Sequence, residues 1–369
     1  MIKVMHVITA LRRGGAEHNL KRLVANLDPS RFACTVAELR PGGALREDIK
    51  AIGTRVSSAG ITSPLQLFPG LMRLRSLIAA EQPDIIQTWL YHADVLGSLA
   101  ALPRRRSRLV WNIRNSDLQE SRRRSWRVLT RTSTMLSPLV DCIVTNSRAG
   151  FESHRQLGYR PRRWELIPNG WVAELSVPTP GRRVAARDQF GLPQDEFLIG
   201  FPARPARQKD HATFLSAARM ATARTPNLRF VLFGGGLVQS AFPADPALIV
   251  LGELKNVADL LPALDCVTLT SSHGEGLPNA VGEAMAVGLP VVCTDVGDVK
   301  SLVGDGGIVV ATREPAAVAD GWSRVLDLGD QARAELGERA RRRIAREYSL
   351  AAMIHRYEEL YESLMSGRP

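Results

Sequence analysis

The chain repeats one pattern twice: short, almost uniformly apolar runs separated by longer stretches in which apolar residues recur every three or four positions. Runs of the first kind suit strands covered on both faces, and stretches of the second kind suit amphipathic helices. In the first half this predicts strands at 2–8, 32–39, 84–88, 108–113 and 142–146, helices at 16–27, 65–80 and 91–101, and a basic helix before the last strand. Pro168-Asn169-Gly170 supplies turn chemistry that ends this half. A polar, proline-containing stretch from Pro178 to Pro193 reads as a connection, after which the alternation resumes. Strands are predicted at 197–201, 228–233, 247–251, 266–270, 290–294 and 307–310, helices at 210–222, 279–286 and 315–326, and a helical turn at 257–261. Helices at about 330–347 and 349–366 close the chain. Such alternation is the signature of open parallel sheets. The expectation is an α/β protein of two Rossmann-like domains, 1–170 and 171–348, with the final helix, 349–369, crossing back to the first. Ligands of such sheets sit beyond the carboxyl ends of the strands, so a cleft between facing domains is expected to hold the site.

Length agrees with two domains, since 369 residues exceed one ordinary core of roughly 100–200 residues. No apolar run approaches the ~20 residues of a spanning helix, and no signal-peptide pattern is present. Cys34, Cys142, Cys266 and Cys293 lie far apart without Cys-x-x-Cys spacing, so free thiols in a cytoplasmic protein are expected. The net charge of +11 is uneven: residues 101–165 carry 15 basic and 5 acidic side chains, residues 166–369 carry 21 and 24. Within residues 104–131, Arg104, Arg105, Arg106, Arg108, Arg122, Arg123, Arg124, Arg127 and Arg131 flank Trp126, Val128 and Leu129. A basic amphipathic stretch of this kind suits phosphate groups or the anionic inner face of a membrane, although a solvated surface helix has the same pattern. No nucleic-acid recognition motif accompanies the charge, so nucleic acid is not an expected partner.

The densest chemistry lies in Ser271-Ser272-His273-Gly274-Glu275-Gly276-Leu277-Pro278-Asn279-Ala280-Val281-Gly282-Glu283. Glu275 follows a predicted buried strand, and Glu283 lies seven intervening residues later, on the next helix. A loop carboxylate can accept hydrogen bonds from sugar hydroxyls, and a helical one can take the paired hydroxyls of a ribose. Gly276 allows close backbone approach, and Leu277, Pro278 and Asn279 open a helix whose positive end suits a diphosphate. Arg204 and Lys209, after the strand that opens the second domain, can neutralise that diphosphate. Gly14 and Gly15 also precede a helix and can approach phosphate, and Gly234 offers the same chemistry.

With these motifs the chain resembles the family 4 retaining glycosyltransferases of the GT-B fold, whose hallmark is two glutamates with seven residues between them, the first of which opens Glu-Gly-Leu/Phe-Pro-Asn. The resemblance extends over essentially the whole chain and includes Gly14-Gly15-Ala16-Glu17, Ile167-Pro168-Asn169-Gly170 and Thr294-Asp295-Val296-Gly297. It implies a nucleotide-sugar donor, taken as a UDP-sugar, with Arg204 and Lys209 on its diphosphate and the loop carrying Leu254 receiving the base through backbone contacts. It also implies retention, and a lipid-linked or glycan acceptor as in polysaccharide assembly. One departure stands out: where many members place a His near the reacting sugar, this chain has Arg114 and Asn115. Either residue can occupy that place: Arg114 cannot serve as a base but can bind donor or acceptor phosphate, and Asn115 can orient the sugar. Neither Asp-x-Asp nor a His and carboxylate cluster indicates a catalytic metal, so no cofactor is expected. Two other readings share the motifs: a nucleotide-sugar epimerase or hydrolase, and a catalytically silent sugar-nucleotide-binding subunit. A dehydrogenase is disfavoured, because Gly14-Gly15 does not complete the dinucleotide fingerprint.

Overall fold

The computed structural model describes residues 1–102, 106–116, 124–173 and 178–367. They form two units, Met1–Gly170 with Ala351–Pro369, and Trp171–Leu350. Of the residues named above, Arg104, Arg105, Arg122 and Arg123 lie outside the described set, as does the side chain of Arg124.

In the first unit the described strands are β1 (Ile2–Ala10), β2 (Phe32–Arg40), β3 (Arg55–Ser58), β4 (Ile85–Trp89), β5 (Arg108–Ile113), β6 (Cys142–Thr145) and β7 (Trp164–Leu166). They make a parallel sheet in the order β3-β2-β1-β4-β5-β6-β7. The edge strands β3 and β7 extend the sheet beyond the sequence expectation. Both are short, and Arg55 is exposed and Trp164 to Leu166 half-buried, so neither carries the apolar run that marks a central strand. One face of the sheet packs Met5, Val7, Ile86, Trp111 and Ile143 against a helical layer. Over polar residues of the sheet, Tyr361 of the C-terminal helix Leu350–Ser366 donates to Gln87 Oε1 (2.7 Å) and its Tyr357 hydroxyl accepts from Asn112 Nδ2 (2.8 Å). Arg31 adds ion pairs to Glu358 and Glu362. Hydroxyl and charge partners, rather than an apolar stripe alone, therefore fix this helix on the first unit.

The second unit holds β8 (Phe197–Pro202), β9 (Leu228–Phe233), β10 (Leu248–Gly252), β11 (Cys266–Leu269), β12 (Val291–Thr294) and β13 (Gly307–Val310). These are parallel, in the order β10-β9-β8-β11-β12-β13. Sequence order reverses between β8 and β11, the switch point at which adjacent loops diverge and leave room for a ligand. The stretch expected to be a connection is instead a helix, Pro180–Phe190. Thr179 caps it by accepting from Arg182 N, Pro180 occupies the first turn, and Gly191 ends it at φ 64°. Its polar surface disguised it, while its Arg187 guanidinium is fully buried. The turn expected at 257–261 is a pair of 3-10 turns, Val257–Asp259 and Leu261–Ala263. Cys142, Cys266 and Cys293 are buried, Cys34 is partly buried, and all four are free thiols.

Candidate functional site

The carboxyl ends of β10, β9, β8, β11 and β12 line up in that spatial order, and the sequence-derived candidates of the second unit fall on the loops that leave them. Gly234, after β9, donates its amide to Gly252 O at 2.7 Å, which joins its turn to the segment carrying Leu254. A Cβ on Gly234 would lie 2.7 Å from Ala203 O, so this turn sits directly against the loop of Arg204. Leu254 is half-buried and packs its side chain on the core. Arg204 is exposed.

At the switch point the loop after β8 meets the loop after β11. Ser272 N donates to Gln208 O (2.8 Å), and Thr270 Oγ1 donates to Lys209 O (3.0 Å). These bonds bring Lys209 Nζ to 2.6 Å from Glu275 Oε1, and Ser271 Oγ donates to the same oxygen at 2.7 Å. The pair is largely withdrawn from solvent, with side-chain exposures of 15% for Lys209 and 9% for Glu275. Burial pushes the Glu275 carboxyl up, but the charge and hydrogen bond of Lys209, the Ser271 hydroxyl and the charge of Arg204 outweigh it, leaving the acid below its ordinary range. Glu275 is thus an anion in a low-dielectric corner, aimed by two donors.

Beyond Glu275, buried Gly276, Leu277 and Pro278 lead into the helix Asn279–Ala286, with Pro278 at its cap. Glu283 lies half-buried on that helix, next to Gly282, where a Cβ would fall 2.2 Å from the Trp171 ring. Trp171 therefore seats the helix, a role the sequence did not announce. Gly297 was legible only as part of a resembling motif. At φ 59°, a Cβ there would sit 1.8 Å from Glu275 O, and Asp298 N donates to Gly276 O at 3.1 Å. The loop after β12 thus braces the backbone of Glu275 and Gly276 from below. Gly297→Ala combines left-handed strain with that overlap, and is expected to cost at least about 2 kcal/mol of stability and to weaken donor binding. Urea unfolding and donor titration check this, and a wild-type profile in both would contradict the bracing role. Ser271 was also missed; its only sequence signal is a hydroxyl four residues before Glu275.

The remaining candidates belong to the first unit. Gly14 is the N-cap of the helix Gly15–Asn26 at the end of β1, and a Cβ on it would lie 2.4 Å from Glu17 Oε2. Leu90, at the end of the adjacent β4, has φ 72°, so the β1 and β4 exits at this unit's own switch point both leave by tight turns. Arg114, expected to bind phosphate, is fastened inward. It donates from Nη1 to Asn169 Oδ1 and from Nη2 to Tyr357 OH (2.8 Å), and its guanidinium lies 4.9 Å over the Trp89 ring. Burial moves its pKa down from the ordinary value, opposed by Tyr357 and Tyr361. Asn115, next in the chain, is half-exposed. Arg114 thus ties the loop after β5 to the turn at Asn169 and to the C-terminal helix. Among the described residues no group of three or more His, Cys, Asp or Glu side chains could hold a metal ion.

Residues 13–174 match the family model described as Glycosyltransferase Family 4, and residues 196–327 match that described as Glycosyl transferases group 1. EpsF of Bacillus subtilis strain 168 is 26% identical over 370 residues, covering 94% of this chain and 91% of the relative. The UDP-Gal:alpha-D-GlcNAc-diphosphoundecaprenol alpha-1,3-galactosyltransferase of Escherichia coli is 22% identical over 312 residues, covering 81% and 80%. Among solved structures, Anabaena Alr3699/HepE in complex with UDP-glucose is similar at a TM-score of 0.85, with 21% identity over 98% of this chain and 100% of that one. Sucrose-phosphate synthase of Thermosynechococcus elongatus is similar at 0.81, with 17% identity over all of both chains. These two likenesses concern the fold.

Proposed function

From the premise that the two halves of the chain are those of a family 4, group 1 glycosyltransferase, we propose that it acts in polysaccharide or glycoconjugate biosynthesis and transfers a hexosyl or N-acetylhexosaminyl group from a UDP-sugar to a lipid-linked or glycan acceptor, with retention and without a metal. The observation that carries this reading is the Lys209–Glu275 pair at the switch point of the second sheet, in line with Arg204, Gly234 and Leu254 along one rim. A donor laid along that rim has its base near the Gly252–Leu254 backbone, its ribose hydroxyls on Glu283, its diphosphate on Arg204, Lys209 and the helix end at Asn279, and its sugar hydroxyls on Glu275.

Reaction breaks the bond from the sugar's anomeric carbon to the diphosphate oxygen, and the electron pair departs with UDP. The acceptor oxygen bonds to the same carbon from the same face, and its proton passes to the departing diphosphate. Lys209 and Arg204 stabilise the charge that grows there, and fixed cations in a desolvated corner need no reorganisation as it does. With the Arg114 guanidinium held by Asn169, Tyr357 and Trp89, its role in this mechanism is to position Asn115 and the loop after β5 on the acceptor side, rather than to bind phosphate.

Thermal unfolding against UDP-, GDP- and dTDP-sugars tests the donor. A UDP-sugar at a hundred times its Kd is expected to add about 2.7 kcal/mol of stability. Stabilisation by a GDP- or dTDP-sugar alone would overturn the choice of base, and stabilisation by none would overturn the site. Donor turnover in the absence of any acceptor, at the rate seen with one, would favour an epimerase or hydrolase instead.

A further inference from the structure

The chain enters the second unit at Trp171 and leaves it after Leu350, and these two points are stitched together. Trp171 N donates to Tyr348 O (3.0 Å), Leu350 N donates to Trp171 O (2.9 Å), and Trp171 forms a parallel bridge with Ser349. The Tyr348 ring stands edge-on to the indole, 6.3 Å between centroids, and its hydroxyl is tied down by donating to Ser301 O (3.2 Å). The backbone of Trp171 is therefore fixed on both sides, and its side chain is delivered to one place in the core.

That place is the helix Asn279–Ala286, which carries Glu283. The indole is buried, and a Cβ on Gly282 would fall 2.2 Å from its Cε2 and Cζ2 and 2.6 Å from its Cη2. Among the described residues its Nε1 has no hydrogen-bond partner. A buried indole ordinarily pairs its N–H, so this ring is held by its shape and not by its polar group. Gly282 lies inside a helix, where glycine is less favourable than alanine, and the close approach of the ring is what requires it.

Val281, Ala284 and Met285 of this helix join Trp171 in the same core cluster. With those side chains packed, the ring against Gly282 sets how closely the helix settles. Glu283 is the next residue, so it moves with Gly282 as part of one rigid turn. A lift of about 1 Å at Gly282 carries the Glu283 carboxylate a similar distance, beyond the spread of about 0.5 Å that hydrogen-bond lengths allow.

We infer that Trp171 is a positioning residue for nucleotide recognition: by filling the groove at Gly282 it sets the reach of Glu283, and the preference for a ribose over a deoxyribose nucleotide depends on that packing. This rests on the reading of Glu283 as the acceptor of the ribose hydroxyls. Trp171 itself touches no substrate and acts through the helix.

Full-length protein is titrated with UDP and with 2′-deoxy-UDP, without acceptor. A carboxylate that takes both ribose hydroxyls should favour UDP at least about tenfold in the wild type. Gly282→Ala, which drives a methyl group into the indole, should bring that ratio below about threefold, and Trp171→Leu, which removes the ring, should lower it at least about threefold. Gly282→Ala/Trp171→Leu gives the methyl group room and should discriminate better than Gly282→Ala. A merely structural role would lower the thermal midpoint and the affinity for both nucleotides alike, with the ratio unchanged. Should Gly282→Ala fail to fold, Trp171→Leu reads the same ratio. A ratio equal to wild type in the folded single variants, or a double variant no better than Gly282→Ala, overturns the inference and leaves the ribose role of Glu283 standing. A wild type indifferent to the 2′-hydroxyl overturns that role, and the inference with it.

Discussion

Lys209→Ala should lower turnover about 10²–10³-fold, the loss typical of removing one preorganised donor from a charge-stabilising site. Two effects combine. The departing diphosphate loses a cation, and Glu275 loses the partner that, with Ser271 and Arg204, holds its carboxyl below the ordinary range against burial. Without Lys209 the burial contribution is less opposed, so the Glu275 pKa rises, and the acid limb of the residual pH–rate profile should move to higher pH. The sign also applies to stability in the native protein. A carboxyl depressed on folding stabilises the fold above its unfolded pKa, and that contribution fades as pH falls through the folded value. Lys209→Arg keeps the charge but not the compact ammonium that fits 2.6 Å from Oε1, so it should recover only part of the rate. The measurement is steady-state transfer over a pH series; near-normal turnover for Lys209→Ala would remove phosphate stabilisation by this residue from the mechanism.

Arg187→Ala should cost about 3–5 kcal/mol, and lower the midpoint of thermal unfolding by roughly 10 °C, because it takes from the buried Asp265 its buried partner and from four carbonyls their donor. The guanidinium is fully buried and donates to Ala263 O (3.0 Å), Pro193 O (2.9 Å), Gln194 O (2.6 Å), Glu196 O (3.0 Å) and Asp265 Oδ2 (2.8 Å). Asp265 also accepts from Leu198 N at 2.7 Å, the amide that starts along β8, so Arg187 fastens the helix Pro180–Phe190 to the strand feeding the Arg204 loop. Removal leaves Asp265 with the more exposed Arg183, 2.8 Å away. Arg187→Met/Asp265→Leu, which removes both charges, should be less damaged than Arg187→Ala. Urea unfolding of the three proteins decides it: a loss under about 1 kcal/mol for Arg187→Ala would show that water replaces these bonds at little cost.

The central strands of both sheets were readable because each is buried on both faces, which favours near-continuous apolar runs such as Val4 to Ile8, interrupted by His6, and Val291 to Cys293. The edges of the first sheet were not, because Arg55 to Ser58 and Trp164 to Leu166 meet solvent on one side and carry mixed residues, whereas the edge strands Leu248–Gly252 and Gly307–Val310 of the second sheet keep apolar runs and were read. The helix Pro180–Phe190 announced its ends through Thr179, Pro180 and Gly191. Its sequence hid the feature that holds it, since a buried arginine looks like any surface arginine until its five carbonyl and carboxylate partners are assembled.

The sequence by itself determined the alternation of strands and helices, the two-sheet architecture and the residue types of the proposed site: Glu275, Glu283, Arg204 and Lys209. Those follow from local rules, because burial period, helix caps and charged side chains act within a few neighbours. Tertiary structure alone decided which of them touch. Lys209 and Glu275 are 66 residues apart in the chain, Gly297 presses on the Glu275 carbonyl from another loop, and Tyr357, 243 residues beyond Arg114, turns that arginine inward. Contacts of this kind depend on strand order and on where a distant helix docks, and neither is encoded in any short window of residues.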